Sequence, residues 1–257
     1  MSLETIKRIR TLTGAGIVDV QKALVEAGND EEKAITILRQ QGQKMAAKRI
    51  DRQTSEGVIA LAQTETSIAV VRLTCETDFV ARNADFVAVA QQFAEQTLAE
   101  GTEAVRTKAE EQIKNELILK IGENIQLAGV DLINGAIKGS YLHSNKKLAA
   151  VVVLKSGTTE LANEVAMHVA AMRPDYLRSD DVPQDLIAKE SEIYKQQLLS
   201  EGKPADMIAK IMPGKLQKFF SEVCLLQQPF VKDDKQTIEQ VLKAANAEVE
   251  SFYFFSL

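Results

Sequence analysis

Two histidines, His143 and His168, and two cysteines, Cys75 and Cys224, are the chain's whole supply of imidazole and thiol groups. The histidines stand 25 positions apart, and no C-x-x-C, H-E-x-x-H or calcium-loop spacing occurs. A catalytic zinc needs several ligands of the right type close in space, and nothing here is spaced to supply them. A phosphate cradle needs G-x-x-x-x-G-K-[ST], so that backbone amides and one lysine meet the phosphates. Gly14-Ala15-Gly16 comes nearest, but Asp19 stands where the second glycine is required. No G-x-S-x-G turn presents a serine nucleophile. Scattered carboxylates leave paired acid–base chemistry open, but no spacing points to it. The expected mode of action is contact with a partner, without bond-making and with no cofactor or metal of its own.

Composition supports that reading. The 257 residues are 45% apolar and 26% charged, as in an ordinary globular protein, and the length predicts about two domains. The net charge of -5 argues against nucleic acid as a direct partner, because phosphate binding needs a surplus of Lys and Arg. Two cysteines make no disulfide framework and suit a reducing, cytoplasmic setting. No apolar run is long enough to cross a membrane, and Met1–Glu4 lead straight into an amphipathic stretch, which predicts no secretory leader.

Periodicity supplies the elements. Residues 1–42 read as three short helices. Leu3, Ile6 and Ile9 lie on one face of the first, Val20, Leu24 and Ala27 of the second, and Ala34, Ile35 and Leu38 of the third. Asn29 with Glu32 resembles a capping box for the third helix, and Gly42 is its expected end. A basic connector follows, with Lys44, Lys48, Arg49 and Arg52 read as a solvated face. A hairpin comes next, with Val58 and Ala60 in one strand and Ile68 and Val70 in the other. A helix over 85–98 presents Phe86, Val89, Ala90 and Phe93, and a polar helical stretch runs over 103–119. The same order recurs as a second hairpin over 136–154 and a helix over 161–172, a weak internal duplication with α+β logic. Two apolar stripes over 182–223, broken at Gly202-Lys203-Pro204, predict an antiparallel helical hairpin, with a kink or break expected at Pro213-Gly214. Ser251–Phe255 is β-prone and predicted to complete the second sheet. His168 and both cysteines read as buried structural groups.

Six stretches now form a set. They are Thr13-Gly14-Ala15-Gly16, Thr77-Asp78-Phe79-Val80-Ala81 after Cys75, Lys120-Ile121-Gly122-Glu123-Asn124-Ile125, Gly139-Ser140-Tyr141 with His143, Ala166-Met167-His168-Val169-Ala170-Ala171, and Gln228-Pro229-Phe230-Val231. In this order and at these intervals, across nearly the whole chain, the sequence resembles the bacterial elongation factor Ts family. The resemblance implies a guanine-nucleotide exchange factor for elongation factor Tu. It implies an α+β fold with a three-helix bundle like ubiquitin-associated domains at 1–52, basic linker included. A two-part core follows, its first half at 53–135 and its second at 136–177 with 228–257. The helical hairpin at 178–227 is inserted into that second half.

The site residues also come from the resemblance. Thr77, Asp78, Phe79 and Val80 match a motif that enters the partner's GTPase domain beside its magnesium site. Phe79 is then the wedge, Asp78 a carboxylate near the groups that orient metal and phosphates, and Thr77 and Val80 fix the turn. Arg10, Ile17, Val18 and His143 match further contact positions. From their surroundings alone, Phe79 fits a core aromatic, Ile17 and Val18 beside the glycine turn fit an exposed apolar contact with bundle core as the alternative, and His143 fits an exposed loop. The resemblance places GDP and magnesium on the partner. The sequence departs from the family pattern in two places: some members carry a further helical contact module after the last strand and none is expected here after Leu257, and Pro213 in the helical arm puts a homodimer through it in doubt. A protein-interaction adaptor, docking without accelerating nucleotide release, is the rival reading.

Overall fold

The computed structural model describes residues 2–257, with the side chain of Ala46 left aside. The fold is α+β. It divides into two compact units, one of residues 1–133, 144–147 and 256–257, the other of residues 134–143 and 148–255.

The first unit opens with three helices, α1 (Leu3–Thr13), α2 (Ile17–Glu26) and α3 (Glu31–Arg49). Ser2 caps α1 by accepting from the Thr5 N–H, and Gly14, in the left-handed region at φ 69°, returns its N–H to Arg10 O at 2.8 Å. Ile6, Ile9, Val20, Ala23, Leu24, Ala34 and Leu38 form the small bundle core, and Leu119 packs against it from later in the chain. Two local expectations are corrected here. The cap of α3 is Asp30, whose carboxylate accepts from Lys33 N at 3.1 Å, while Asn29 takes a positive φ of 65° in the preceding turn. And α3 does not stop at Gly42 but runs on to Arg49, taking in much of the expected connector. Gly42 is buried, and a Cβ there would stand 3.3 Å from Lys114 O, so the glycine serves close packing rather than termination.

An antiparallel pair, β1 (Glu56–Gln63) and β2 (Ser67–Cys75), then forms in register from Glu56 opposite Cys75 to Gln63 opposite Ile68. The short helix α4 (Asp78–Ala81) leads to α5 (Ala84–Glu100), which lays Phe86, Ala90, Phe93 and Ala94 over Val58, Ala60, Val71 and Leu73. The helical stretch α6 (Thr102–Gln112), a π turn over Ile113–Leu117 and α7 (Ile118–Ile121) end at Gly122, which is left-handed at φ 84°. That turn feeds β3 (Ile125–Asn134), a strand the periodicity did not announce, which completes a sheet ordered β1-β2-β3.

The second unit repeats the plan. β4 (Ile137–Leu142) and β5 (Leu148–Ser156) pair antiparallel, and α8 (Thr159–Met172) covers them with Ala162, Val165, Ala166 and Val169. A Cβ on Gly139 would overlap the backbone of Ala162 and Asn163, and the Ser140 N–H donates to Asn163 Oδ1 at 2.9 Å. Glycine is therefore what lets α8 approach β4 this closely. Two further helices, α9 (Gln184–Ser200) and α10 (Ala205–Val223), form the hairpin, turned by Gly202 at φ 74°. Of the kink or break expected at Pro213-Gly214, the break does not occur: α10 is continuous through Pro213. One missing N–H is a local loss, and the apolar stripe against α9 holds the helix on both sides of it. A small hairpin of β6 (Pro229–Phe230) and β7 (Asp233–Thr237), then α11 (Ile238–Ala244) and β8 (Glu248–Ser256), complete the chain, with the second sheet ordered β4-β5-β8.

His168 ties this unit together. The Val231 N–H donates to its Nδ1 at 3.2 Å, so the ring proton sits on Nε2 and donates to Gln228 Oε1 at 2.9 Å. Gln228 in turn donates to Glu222 O at 2.9 Å. Burial pushes the imidazole below its ordinary value, with the Gln228 bond opposing. A group whose folded pKa is depressed in this way contributes stability above the unfolded value near 6.5, and loses it as pH falls below that value. The stability difference between the natural chain and His168→Gln is thus expected to shrink as pH drops from 7.5 toward 5, and thermal melts across that range check it. Gly139→Ala is expected to cost about 1–3 kcal/mol by overpacking. Gly214→Ala, where a Cβ meets nothing within 4 Å, is expected to gain about 0.5–1 kcal/mol. Denaturant unfolding of both variants measures the pair.

Candidate functional site

The end of β2 places the candidate site. Cys75 is buried, and its Sγ–H donates to Thr77 O at 3.2 Å. Burial, assisted by the charge of Glu123, pushes this thiol up to about 12, so it stays protonated and is no nucleophile. Glu76 and Thr77 follow in extended backbone, and α4 begins at Asp78. The Thr77 Oγ1 accepts from Val80 N at 3.4 Å, which caps the helix.

Phe79 is the consequence of this local geometry. A helix of four residues turns through one revolution, so one face meets the core and the opposite face has nothing to meet. Ala81 takes the inward position, and Phe79 is left 84% exposed, more than any other large apolar side chain among the described residues. Phe86 and Phe93, only a few residues on, are buried. The composition of this stretch therefore does not explain the exposure; its turn does. Beside it, Asp78 pairs with Arg82 at 3.2 Å. Asp78 also borders a cavity of about 440 Å³, lined by charged groups such as Glu56, Arg82, Lys146 and Lys147 and by the apolar Val58, Ala81 and Val87. Glu56 and Lys147 form an ion pair on its wall. The carboxylate is thus half-exposed, and Phe79 stands mostly in water. That combination can recognise an apolar crevice with donors next to it.

Two further segments hold the turn. Glu123 Oε2 accepts from the N–H groups of Glu76 and Thr77, both at 3.0 Å, and its Oε1 accepts from the Thr77 hydroxyl at 2.6 Å. Glu76 reciprocates: its Oε1 accepts from Asn124 N at 2.6 Å, which holds the Glu76 carboxyl below the usual range. Asn124 Nδ2 donates to Arg52 O at 2.8 Å, and Arg52 also pairs with Glu76 at 3.3 Å. Arg52, read from sequence as part of a solvated connector, is thereby tied to the site. Glu123 and Asn124 lie in one of the six sequence stretches, but nothing in the sequence links them to residues 46 or more positions earlier.

The remaining candidates are placed as follows. Thr77, Asp78, Phe79 and Val80 are together on the turn just described. Arg10 lies exposed in the last turn of α1. Ile17 and Val18 open α2 and are 49% and 59% exposed, so they are not bundle core. Leu12 is also exposed, a neighbour that the helical pattern had not singled out. His143 belongs to the second unit, just beyond β4. Its N–H donates to Leu148 O at 2.9 Å and its ring meets Tyr141 edge-on at 6.5 Å. Among the described residues no group of His, Cys, Asp and Glu is arranged to hold a metal ion, and no helix is long and apolar enough to cross a membrane.

The family described as Elongation factor TS matches residues 76–257 by its sequence profile. An elongation factor Ts of Deinococcus deserti is 41% identical over 263 residues, covering 99% of each chain. One from a Hydrogenobaculum species is 38% identical, covering 100% of this chain and 98% of its own. Another, from Ralstonia nicotianae, is 42% identical over 97% of this chain and 88% of its own. Matches of that extent, with the family profile over most of the chain, place it in the elongation factor Ts family of translation elongation factors.

Proposed function

We propose that this elongation factor releases GDP from elongation factor Tu by inserting the turn at Thr77–Val80 beside the partner's magnesium and phosphate site. The single observation that carries the reading is Phe79, an aromatic side chain held in water on a turn whose backbone is hydrogen-bonded on both sides. An aromatic ring so placed gains only when a partner covers it. Phe79 parts packed partner elements, and Asp78 engages the groups that orient the metal. The metal carries much of the nucleotide's phosphate charge, so moving its surroundings loosens the nucleotide.

Linkage sets the direction. A factor that binds the nucleotide-free partner best must weaken nucleotide binding by the same ratio. Each tenfold in release rate needs about 1.4 kcal/mol off the barrier, and contacts complete only in the exchanging state supply it. The chain makes and breaks no covalent bond in this scheme, needs no cofactor of its own and touches no nucleic acid. It works in the cytoplasm, where the partner is found. Arg10, Ile17 and Val18 dock the N-terminal bundle (1–52) on the partner, and His143 adds a contact from the second half of the core. That half, 136–177 with 228–257, and the first half, 53–135, carry the contacts. The release step as described uses no residue of the hairpin at 178–227 and does not require a homodimer formed through it.

Release of a fluorescent GDP analogue from elongation factor Tu, followed by stopped flow at rising factor concentration, tests the reading. Phe79→Ala is expected to lower the maximal rate on the order of 30-fold, the loss of an interface anchor worth about 2 kcal/mol. Ile17→Ser with Val18→Ser is expected to raise the half-saturating concentration about tenfold. No acceleration by the natural chain, with binding intact, would favour the adaptor instead.

A further inference from the structure

The geometry points to Glu123 as the positioning residue for Phe79, acting through the backbone of Glu76 and Thr77 and never touching the partner. This rests on the exchange reading above. Phe79 is exposed, so packing does not fix its direction. Four residues of helix supply little of their own, since the first amides of any helix lack internal partners. What fixes the turn comes from elsewhere in the first unit. Glu123 takes the N–H groups of Glu76 and Thr77 on one carboxylate oxygen and the Thr77 hydroxyl on the other.

The hydroxyl makes this more than an anchor. A carboxylate only accepts, so the Thr77 proton must point at Glu123 Oε1, and the oxygen's lone pairs are turned to the Val80 N–H. Glu123 therefore orients the group that caps the very turn carrying Phe79. The bonds are charge-assisted, which makes them stronger than neutral ones. The anchor is itself held: Gly122 ends α7 in the left-handed region, and Asn124 N is gripped by Glu76, so each of the two segments holds the other through a carboxylate and backbone amides. Cys75, donating to Thr77 O, closes the remaining backbone group.

Replacing Glu123 by Gln keeps size and removes one of the two accepting oxygens. Amide hydrogen exchange of the full chain reads the clamp without any partner. In Glu123→Gln the amides of Glu76, Thr77 and Val80 are expected to exchange at least about tenfold faster, while those of Val58–Ala62 in β1 keep their rates. Unchanged rates at the first three would overturn the clamp whatever the factor does. Stopped-flow GDP release then reads its purpose. Glu123→Gln is expected to lower the maximal rate about tenfold with the half-saturating concentration unchanged within about twofold, and to add nothing in a Phe79→Ala background. Losses that multiply in the double variant would show that Glu123 acts by a route other than Phe79, and would overturn the assignment. A natural chain that gives no acceleration sinks the exchange reading, and with it the purpose given to the clamp, while hydrogen exchange still decides the clamp itself. Should Glu123→Gln lose its thermal transition, Glu76→Gln takes its place. It takes the charge from the reciprocal bond to Asn124 and ends the ion pair with Arg52, and is expected to loosen the same amides and slow release about threefold. Unchanged amides and rate in that variant would overturn the proposal.

Discussion

A phenylalanine surrounded by water cannot be held by burial, so its direction has to be set by the hydrogen bonds of its own backbone. Phe79 is in that position, and much of the first unit is arranged around it. β2 delivers the chain to the turn, Cys75 closes a carbonyl, and Thr77 caps the four-residue helix. Glu123 and Glu76 then trade carboxylates for backbone amides between two segments that are distant in sequence. Phe86 and Phe93 are buried in the core between the sheet and α5, and of the three phenylalanines in this unit Phe79 alone is left exposed. The left-handed glycine at 122 is needed for the same reason, since it turns α7 into β3 and brings Glu123 back to the end of β2.

Magnitudes make the arrangement coherent. Covering an exposed phenyl ring is worth about 1.5–3 kcal/mol. Holding the ring in place beforehand spares the binding step about 0.5–1.5 kcal/mol of ordering. On the exchange reading, an interaction of that size made only with the nucleotide-free partner changes nucleotide affinity by roughly one to two powers of ten. A turn that wandered would spend part of that on its own ordering. The exposed Ile17 and Val18 differ in kind: they stand at the start of a ten-residue helix whose other face is bundle core, so a surface for docking comes with the helix and needs no special support.

Much of this was legible in the residues. The alternation of Val58, Ala60, Ile68 and Val70 and the apolar face of Phe86, Ala90 and Phe93 place one sheet-and-helix layer, and the repeat of that order places the second. The errors have physical causes. Gly42 looked like a helix end because glycine usually is one, but here its missing Cβ is used for packing. Pro213 looked like a kink or a break, and the break is absent because α10 runs through it, one lost N–H being a local loss. β3 was missed because Gly129 and Asp131 interrupt its alternation, Gly129 being where the Arg72 side chain lies across the strand. At the site, type and spacing alone read Phe79 as core, and only the family resemblance turned it outward. The clasp was illegible for a different reason: a Glu after a helix-ending Gly has no local signal for amides 46 residues away.

The central claim is that the factor distinguishes two states of its partner and does so through Phe79. Calorimetric titration of the full chain into nucleotide-free and into GDP-loaded elongation factor Tu measures that distinction directly. The account requires the nucleotide-free form to be bound roughly tenfold tighter or more, with Phe79→Ala closing most of the gap. Equal affinity for the two forms, or a gap that survives Phe79→Ala undiminished, would contradict it.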